Sequence, residues 1–438
     1  MTLTSCVYYN AIYNAERRWS RAEALRLAGQ DSAAAVAYDD VIRKAAAGFR
    51  REPDGPWADD ALLLLGRAYL RRGELYEARA ALERVVERSD DPRVRLAARV
   101  YLGAVAVVLG EPSRGVEILN GALRGLSPGP LLAEGHLWRG RALLSKGSHD
   151  TGWWDLDRAA ANDARLAVAA ALERLRWGVA YGDSVRVREG LHRLLLLPVR
   201  SARVKGVEEV LEEAAKRWGP GPTADLMAGA TGSGDVAWAP EEWGSLSLQR
   251  ARFLHEAGRE EEAREQAMAV AAGIGRAAAR ARLMVARWDL ARARDLTALQ
   301  SVSAFLAPVA GDSVVMDLAD AVARTARLAE AGLSNPLAWF AAAEAARDGL
   351  GAPLLARGFF IAYADAAPRE PWAAKALLAA LELSEVPEDR SWLRRRLEEY
   401  ARNPYVLAAR GWPAPGFQDL EEELARRLQA LASPPRNP

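Results

Sequence analysis

Three glycines, Gly73, Gly110 and Gly147, recur at intervals of 37 residues, and Gly182 follows 35 residues after the last of them. Many helices end at a residue in the left-handed conformation, which glycine adopts without steric cost. A glycine that recurs at a fixed interval therefore indicates repeated helix ends. A chain of this kind stacks one short unit on the next instead of closing a single core. Its length of 438 residues therefore does not require several separate domains.

The clearest copy of the repeat covers residues 59–88. One face of its first helix is apolar or small, a turn follows at Gly73, and the second helix has an inner face of Leu75, Ala78, Leu82 and Val85. This pattern resembles the tetratricopeptide repeat, in which small residues let two helices approach and large residues interdigitate. The resemblance implies an α-solenoid, with longer loops than the roughly 34-residue repeat usual in that family.

The composition independently favours an all-α fold. Hydrophobic residues make up 50% of the chain, and Ala, Leu, Arg and Glu, which lose little on entering a helix, are abundant. Runs of alternating β-branched and aromatic residues are hard to find. We therefore predict an all-α, tetratricopeptide-like solenoid of stacked antiparallel helix pairs.

The pattern divides the chain into five segments. Gly219-Pro220-Gly221-Pro222 and Gly232-Ser233-Gly234 interrupt the regular spacing and predict a loop or hinge. An apolar stripe over residues 418–431 predicts a capping helix, followed by a disordered tail from Ser433. The expected segments are a lead-in at 1–14, a first array at 15–200, a helix with a Gly/Pro-rich hinge loop at 201–243, degenerate helical repeats at 244–410, and the cap with its tail at 411–438.

The charges argue against nucleic acid as a partner. Lys plus Arg number 59 against 58 Asp plus Glu, and the two signs are interleaved along the chain. Such charges are typical of solvated outer helix faces and create no basic field for phosphates. The longest apolar runs are also far shorter than the roughly 20 residues that cross a bilayer.

No arrangement of residues predicts catalysis, a metal or a cofactor. The four histidines lack the i,i+4 spacing of a zinc-binding helix, and we expect His136 and His149 to be ordinary polar surface. No phosphate-binding glycine loop occurs. Asp155 and Asp157, which could be cast as an acid–base pair, are expected to be exposed and to have ordinary pKa values.

Candidate partner-binding residues follow from repeat position. The first-helix arginines Arg67, Arg71, Arg99 and Arg141 are candidates for a concave face, and the alternative is ordinary exposed arginine. Tryptophans can anchor a bound peptide, although they more often fill gaps between helices. Because Trp238 and Trp243 flank the irregular segment, they are the best tryptophan candidates for a groove or hinge.

The amino terminus contains a lipobox-like sequence, Leu3-Thr4-Ser5-Cys6. Only five residues precede Cys6, so the charged and apolar parts of a signal are missing; the match is either coincidence or the end of a signal whose start is lost. The sequence after Cys6, together with residues 56–69, resembles envelope lipoproteins with tetratricopeptide repeats, similar to the repeat subunit of the outer-membrane β-barrel assembly machinery. That resemblance implies lipid attachment at Cys6 and a periplasm-facing position on the bacterial outer membrane.

Three functions remain open at this point. The first is a non-catalytic envelope scaffold that holds a protein or peptide, attached to the membrane only through Cys6 and linked to outer-membrane protein assembly. The second is a cytoplasmic regulatory or signalling module, for which Cys6 is incidental. The third, a helical enzyme such as a peptidoglycan-cleaving one, would need a catalytic domain that no part of the chain resembles.

Overall fold

The computed structural model describes residues 3–197, 204–231 and 238–432. All regular elements in these ranges are helical. The chain forms two compact units, Met1–Arg259 and Glu260–Pro438. The predicted all-α fold is confirmed, and each unit is a series of helices in which neighbours along the chain pack against each other.

The first unit contains helices α1 to α13. Each first helix of a pair packs against its partner and against the first helix of the next pair, as α3 packs against both α4 and α5. The helices are α1 Leu3–Leu27, α2 Asp31–Arg51, α3 Ala58–Arg72, α4 Leu75–Arg88, α5 Pro92–Val108, α6 Pro112–Leu123, α7 Pro130–Ser145, α8 His149–Asn162, α9 Ala167–Tyr181, α10 Ser184–Leu195, α11 Val204–Trp218, α12 Pro220–Thr231 and α13 Pro240–Glu256.

The periodic glycines take the turns that the sequence predicts. Gly73, Gly110 and Gly147 have φ values of 80°, 80° and 79°, the left-handed region that other residues avoid. The backbone N–H of Gly73 donates to the carbonyl of Leu70, closing the end of α3. Side-chain caps begin other helices, as where the Asp91 carboxylate accepts from the Arg93 N–H ahead of α5.

Glycine also lets the two helices of a pair approach closely. A Cβ added at Gly66 would lie 2.4 Å from Cγ of Leu82, and one added at Gly103 would lie 2.5 Å from Cγ of Leu119. Both contacts join a first helix to its second helix, and both glycines are one 37-residue repeat apart. The repeat is therefore a packing unit in three dimensions as well as a sequence pattern.

The second unit contains α14 to α23 around one large apolar core. Ala356 and Phe360 are buried in this core, and the Phe360 ring meets that of Phe340 edge to face at 5.2 Å. The helices are α14 Glu260–Ala271, α15 Arg276–Arg292, α16 Leu296–Leu306, α17 Met316–Ala331, α18 Leu337–Glu344, α19 Pro353–Ala366, α20 Ala373–Glu382, α21 Pro387–Glu398, α22 Pro404–Ala409 and α23 Phe417–Ala432.

The predicted hinge over residues 201–243 differs from the structure in two respects. Pro220 opens helix α12 instead of continuing a loop, because proline at the first helical position needs no N–H partner and has a helical φ. The division into units falls between Arg259 and Glu260, so α13 belongs to the first unit and pairs with α12. Gly232-Ser233-Gly234 lies outside the described residues.

Helix α23 packs against α18 and α22 of the second unit. Leu424 is buried, the Trp372 indole N–H donates to the carbonyl of Leu420 at 3.0 Å, and Lys375 pairs with Glu421 at 2.7 Å. The tail from Ser433 lies outside the described residues. No described helix is both long and apolar enough to cross a membrane.

Candidate functional site

The first unit contains a cavity of about 440 Å³, here called the inner cavity. Its lining comes from the first helices of four successive pairs, α1, α3, α5 and α7, and from residues 163–166 ahead of α9. Because several repeats contribute, the cavity exists only in the assembled array. Its volume is within the range of about 300–1,000 Å³ that is usual for ligand sites.

Arg67 on α3 lines the inner cavity and lies close to two aromatic rings. Its guanidinium carbon is 4.2 Å from the ring centroid of Trp19 on α1 and 5.1 Å from that of Tyr101 on α5. Both rings are buried, and they stabilise the cation through their electron-rich faces. The Arg67 Nε is buried, and within the described part of the chain it has no hydrogen-bond partner.

Beside Arg67, a network of ion pairs joins helices that are far apart in sequence. Arg71 donates to Glu23 on α1 at 3.1 Å and to Glu134 on α7 at 2.7 Å. Arg26 also pairs with Glu23 at 2.8 Å, and the Trp138 indole N–H donates to Glu134 at 3.0 Å. The network ties α1, α3 and α7 together along the inner cavity.

The opposite charges of this network keep one another ionised. Burial alone would raise the pKa of Glu23, but the charges of Arg71 and Arg26 and their hydrogen bonds outweigh burial and lower it to about 2. Burial likewise opposes the charge of Arg71, and the two glutamates raise its pKa well above the usual range. Glu23 is therefore ionised at neutral pH.

The four candidate arginines differ in their surroundings. Arg67 lines the inner cavity, whereas Arg71 is committed to Glu23 and Glu134. Arg141 pairs with Glu173 at 2.8 Å and stacks on Trp138. Arg99 is exposed on α5 and is not part of the cavity lining. Only Arg67 combines a place in the inner cavity with a guanidinium that forms no ion pair within the described residues.

The two tryptophan candidates are not part of the lining of the inner cavity. Trp238 is buried, and its indole N–H donates to the carbonyl of Leu194 at 3.0 Å, so the ring fills a gap between helices. Trp243 is half-buried on α13 and does not line the inner cavity. Cys6 lies near the start of α1, and its side chain is outside the described part of the chain.

The expectation that His136 and Asp155 are exposed is wrong. Asp155 is fully buried and accepts from Arg139 at 2.7 and 2.8 Å, while His136 lies 2.7 Å from the same carboxylate through Nδ1. A histidine held by an aspartate is also part of hydrolase triads, which need a hydroxyl or thiol nucleophile on the other ring nitrogen. Among the described residues, no hydroxyl or thiol forms a hydrogen bond with His136. The contacts of Asp155 with His136 and Arg139 instead join α7 to α8 as a brace.

Metal sites and other cavities add no stronger candidate. Within the described ranges, no group of three or more His, Cys, Asp or Glu side chains could hold a metal ion. A cavity of about 410 Å³ lies under α23 beside Trp372, and a smaller one lies beside Arg174, which is already paired with Asp157.

Sequence reasoning missed Trp19, Tyr101, Glu23 and Glu134 as residues of the inner cavity. A partial signal exists, because Tyr101 and Trp138 are one 37-residue repeat apart and both stack against an arginine. Glu23 and Glu134 are 48 and 63 residues from their partner Arg71, and no local pattern connects them.

These observations define an all-α array of helix pairs with a charged cavity on its first helices. No family model matches the chain, and no curated protein sequence matches it. Among solved structures, it is similar to a tetratricopeptide repeat protein from Parabacteroides merdae, with 14% identity, a TM-score of 0.33, and coverage of 58% of this chain and 91% of that one.

A second similar structure is the APC/C hetero-tetramer Cut9–Hcn1, with 14% identity, a TM-score of 0.27, and coverage of 89% of this chain and 99% of the other.

Proposed function

We propose that this protein is a non-catalytic scaffold whose inner cavity holds a short segment of a partner protein. The observation that carries the proposal is Arg67, a half-buried cation that contacts the rings of Trp19 and Tyr101 and has no ion-pair partner in the described residues. A charged group placed in a cavity without a counter-ion costs free energy in the free protein. Binding an oppositely charged group there recovers that cost.

The lining of the inner cavity suits a binding site. Leu27, Leu131 and Leu166 contribute apolar surface, and a few charged groups lie among them. Apolar walls with a small number of placed polar groups are typical of ligand sites, because the walls supply affinity and the polar groups fix orientation. The ion pairs of Arg71 hold α1, α3 and α7 in place before a ligand arrives, which lowers the entropy cost of binding.

The electrostatics of the cavity favour binding over catalysis. A general acid or base works best with a pKa near the pH of the reaction. The pKa of Glu23 is instead lowered to about 2 by Arg71 and Arg26, against the effect of burial. A carboxylate held this firmly in its ionised form is a structural anion.

We extend the proposal to location: Cys6 is lipidated and tethers the array to the bacterial outer membrane, with outer-membrane protein assembly as the process to test first. The support is the sequence Leu3-Thr4-Ser5-Cys6. Mass spectrometry of the native protein is expected to find a diacylated or triacylated Cys6 at its amino terminus. An unmodified Met1 in the soluble fraction would contradict the tether and leave a cytoplasmic scaffold.

Photo-crosslinking in living cells tests the binding function. A benzoylphenylalanine placed at Ser20, on the rim of the inner cavity, is expected to form a discrete adduct with a partner protein. The same residue at Tyr76, which is 75% exposed on the second helix α4, serves as the matched control. Adducts of equal yield and mass at both positions, or none at Ser20, would refute a partner site in the cavity.

A further inference from the structure

The first unit contains a second cavity, here called the side cavity, with a volume of about 230 Å³. Its described lining comes from α8, α9 and the end of α10, and it shares no residue with the lining of the inner cavity. Most of the lining consists of alanine and leucine side chains, among them Leu156, Ala160 and Ala170. Three charged side chains complete it, so the side cavity is an apolar space with one charged end.

Arg174 places a buried positive charge in the wall of the side cavity. The residue is only 1% exposed. Its hydrogen bonds come from Nη2 alone, at 2.7 Å to Asp157 and 3.4 Å to the carbonyl of Trp153. Within the described part of the chain, the nearest carboxylate to Nη1 is that of Glu189 at 3.9 Å, too far for a hydrogen bond. Donors that have left water without gaining an acceptor cost free energy, which a ligand can recover.

The charges around Arg174 leave one positive charge in excess. Arg193 also donates to Asp157, so two guanidinium groups share one carboxylate. Glu189 forms its closer pair with Arg186, at 3.0 Å. Among the described residues of this cluster, three arginines therefore face two carboxylates. Burial and the two neighbouring arginines lower the pKa of Arg174, and its contacts with Asp157 only partly offset them.

The chemistry of the charged end favours a carboxylate as the ligand group. A carboxylate carries the single negative charge that the cluster lacks, and it can accept the unused N–H groups of Arg174. Arg193 is 51% exposed, so its side chain can adjust and supply further N–H groups. A doubly charged phosphate would exceed the missing charge and would lie close to Asp157, which repels it.

The apolar walls and the volume determine what accompanies the carboxylate. The side cavity is smaller than the range of about 300–1,000 Å³ that is usual for drug-sized ligands. A water molecule occupies about 30 Å³ in the liquid, so the space corresponds to roughly eight non-hydrogen atoms. A six-carbon acid such as hexanoate has that size. Its aliphatic chain would lose contact with water against alanine and leucine side chains, which favours binding.

We infer that the side cavity binds a short aliphatic carboxylic acid, with the carboxylate on Arg174 and Arg193 and the chain against the alanine and leucine walls. The side cavity is separate from the inner cavity, so the inference does not depend on the proposed scaffold function. A bound acid would contact α8, α9 and α10 together and stabilise this part of the array.

Isothermal titration calorimetry on the full-length protein tests the chemistry of the ligand. Hexanoate is expected to bind saturably. Hexanamide has the same shape without the charge, and acetate has the charge without the chain; each is expected to bind at least about tenfold more weakly, because one loses the charge-assisted hydrogen bond and the other the apolar contact. Dodecanoate is expected to bind no more tightly than hexanoate, because its longer chain exceeds the cavity.

Two substitutions with matched controls locate the binding. Ala160→Leu fills the side cavity from α8 without altering a charge, and it is expected to weaken hexanoate by at least about tenfold, whereas Ala161→Leu on the exposed side of α8 should not. Arg193→Gln removes a charge from the lining and is expected to weaken hexanoate by at least about tenfold. Arg176→Gln alters an arginine that is 50% exposed outside the lining and should bind as the unaltered protein does.

Each contrary result has a distinct meaning. Equal binding of hexanoate and hexanamide would overturn the role of the charge, and equal binding of acetate would overturn that of the apolar walls. Tighter binding of dodecanoate would overturn the limit on size. Unchanged binding in Ala160→Leu and Arg193→Gln, with circular dichroism melts matching the unaltered protein, would place the site elsewhere; if Ala160→Leu does not fold, Arg193→Gln alone decides. Absence of saturable hexanoate binding would reject the site, while a specific Ser20 adduct would still support the scaffold function.

Discussion

Replacing Glu23 with glutamine removes one charge from the buried network and keeps the size of the side chain. Ionised Glu23 is stabilised in the folded state because its pKa is about 2 there, against 4.5 ordinarily. With about 1.36 kcal/mol for each pKa unit, this shift corresponds to about 3 kcal/mol at neutral pH. Glu23→Gln is expected to lose a stabilisation of that order.

The change of folding stability with pH provides a second test of this prediction. A depressed pKa stabilises the folded state fully above pH 4.5, and the effect fades as the pH falls through 2. The free energy of unfolding of Glu23→Gln is then expected to differ from that of the unaltered protein by about 1.5 kcal/mol at pH 3, which is half of the difference expected at pH 6. The glutamine variant has no carboxylate here to titrate.

Native-state hydrogen exchange read by mass spectrometry is the suitable assay, because it reports the opening free energy of α1 and α3 without requiring that both units unfold together. Glu111→Gln, which alters an exposed glutamate paired with Arg79, is the control and should cause no measurable change in these helices. A difference that stays constant between pH 6 and pH 3 would refute the electrostatic reasoning and indicate disturbed packing.

Gly66→Ala is expected to destabilise the first unit by about 1–3 kcal/mol in urea unfolding, because the added Cβ collides with the facing helix. Gly121→Ala is the control: a Cβ added there has nothing within 4 Å, so the variant should be neutral or slightly stabilised in the same assay. Equal effects would contradict the close approach. Asp155→Asn takes the anion away from the half-buried Arg139 and should cost about 1–3 kcal/mol by thermal unfolding, while Asp150→Asn on the exposed side of α8 should change little. A stable Asp155→Asn protein would argue against the brace.

The helix pairs and their turns could be predicted because each depends on local chemistry. A left-handed turn accepts glycine most readily, so Gly73 and Gly110 mark helix ends wherever they stand. The close approach of Gly66 to Leu82 follows from the same logic, since a small residue must face a large one. Both signals lie within about twenty residues of sequence.

The inner cavity could be predicted only in part because it depends on the path of the array. Repeat position makes Arg67 and Arg71 equal candidates for a concave face, and it does not distinguish Arg67, which lines the inner cavity, from Arg71, which is committed to glutamates. That distinction depends on Glu23 and Glu134, which four successive helix pairs bring together across 111 residues of sequence. No single-repeat pattern contains this information.

The burial of Asp155 does not follow from its local sequence, for a related reason. Asp155 has an ordinary helical position in the sequence, yet it is fully buried where glycines let α7 and α8 approach: a Cβ added at Gly140 would lie 3.2 Å from the Cβ of Asp155. Its charge is tolerated there because Arg139 donates two hydrogen bonds to it. The glycine and the arginine are both visible in the sequence, but their convergence on one carboxylate is not.

Helix α12 shows that glycine and proline mark a boundary without determining which structure follows it. Gly219-Pro220 predicts a loop, although the same residues suit the junction between two helices: Gly219 has φ of 91° after α11, and Pro220 begins α12. Proline and glycine mark a boundary in either case. Only the helix-forming residues that follow decide whether the boundary opens a loop or another helix.

A structure of the full-length protein cross-linked to its partner through Ser20 tests the central claim most directly. We expect a segment of the partner in the inner cavity beside Arg67, with the ion pairs of Arg71 to Glu23 and Glu134 intact. A partner that contacts only the second helices, outside the inner cavity, would contradict the proposed binding site.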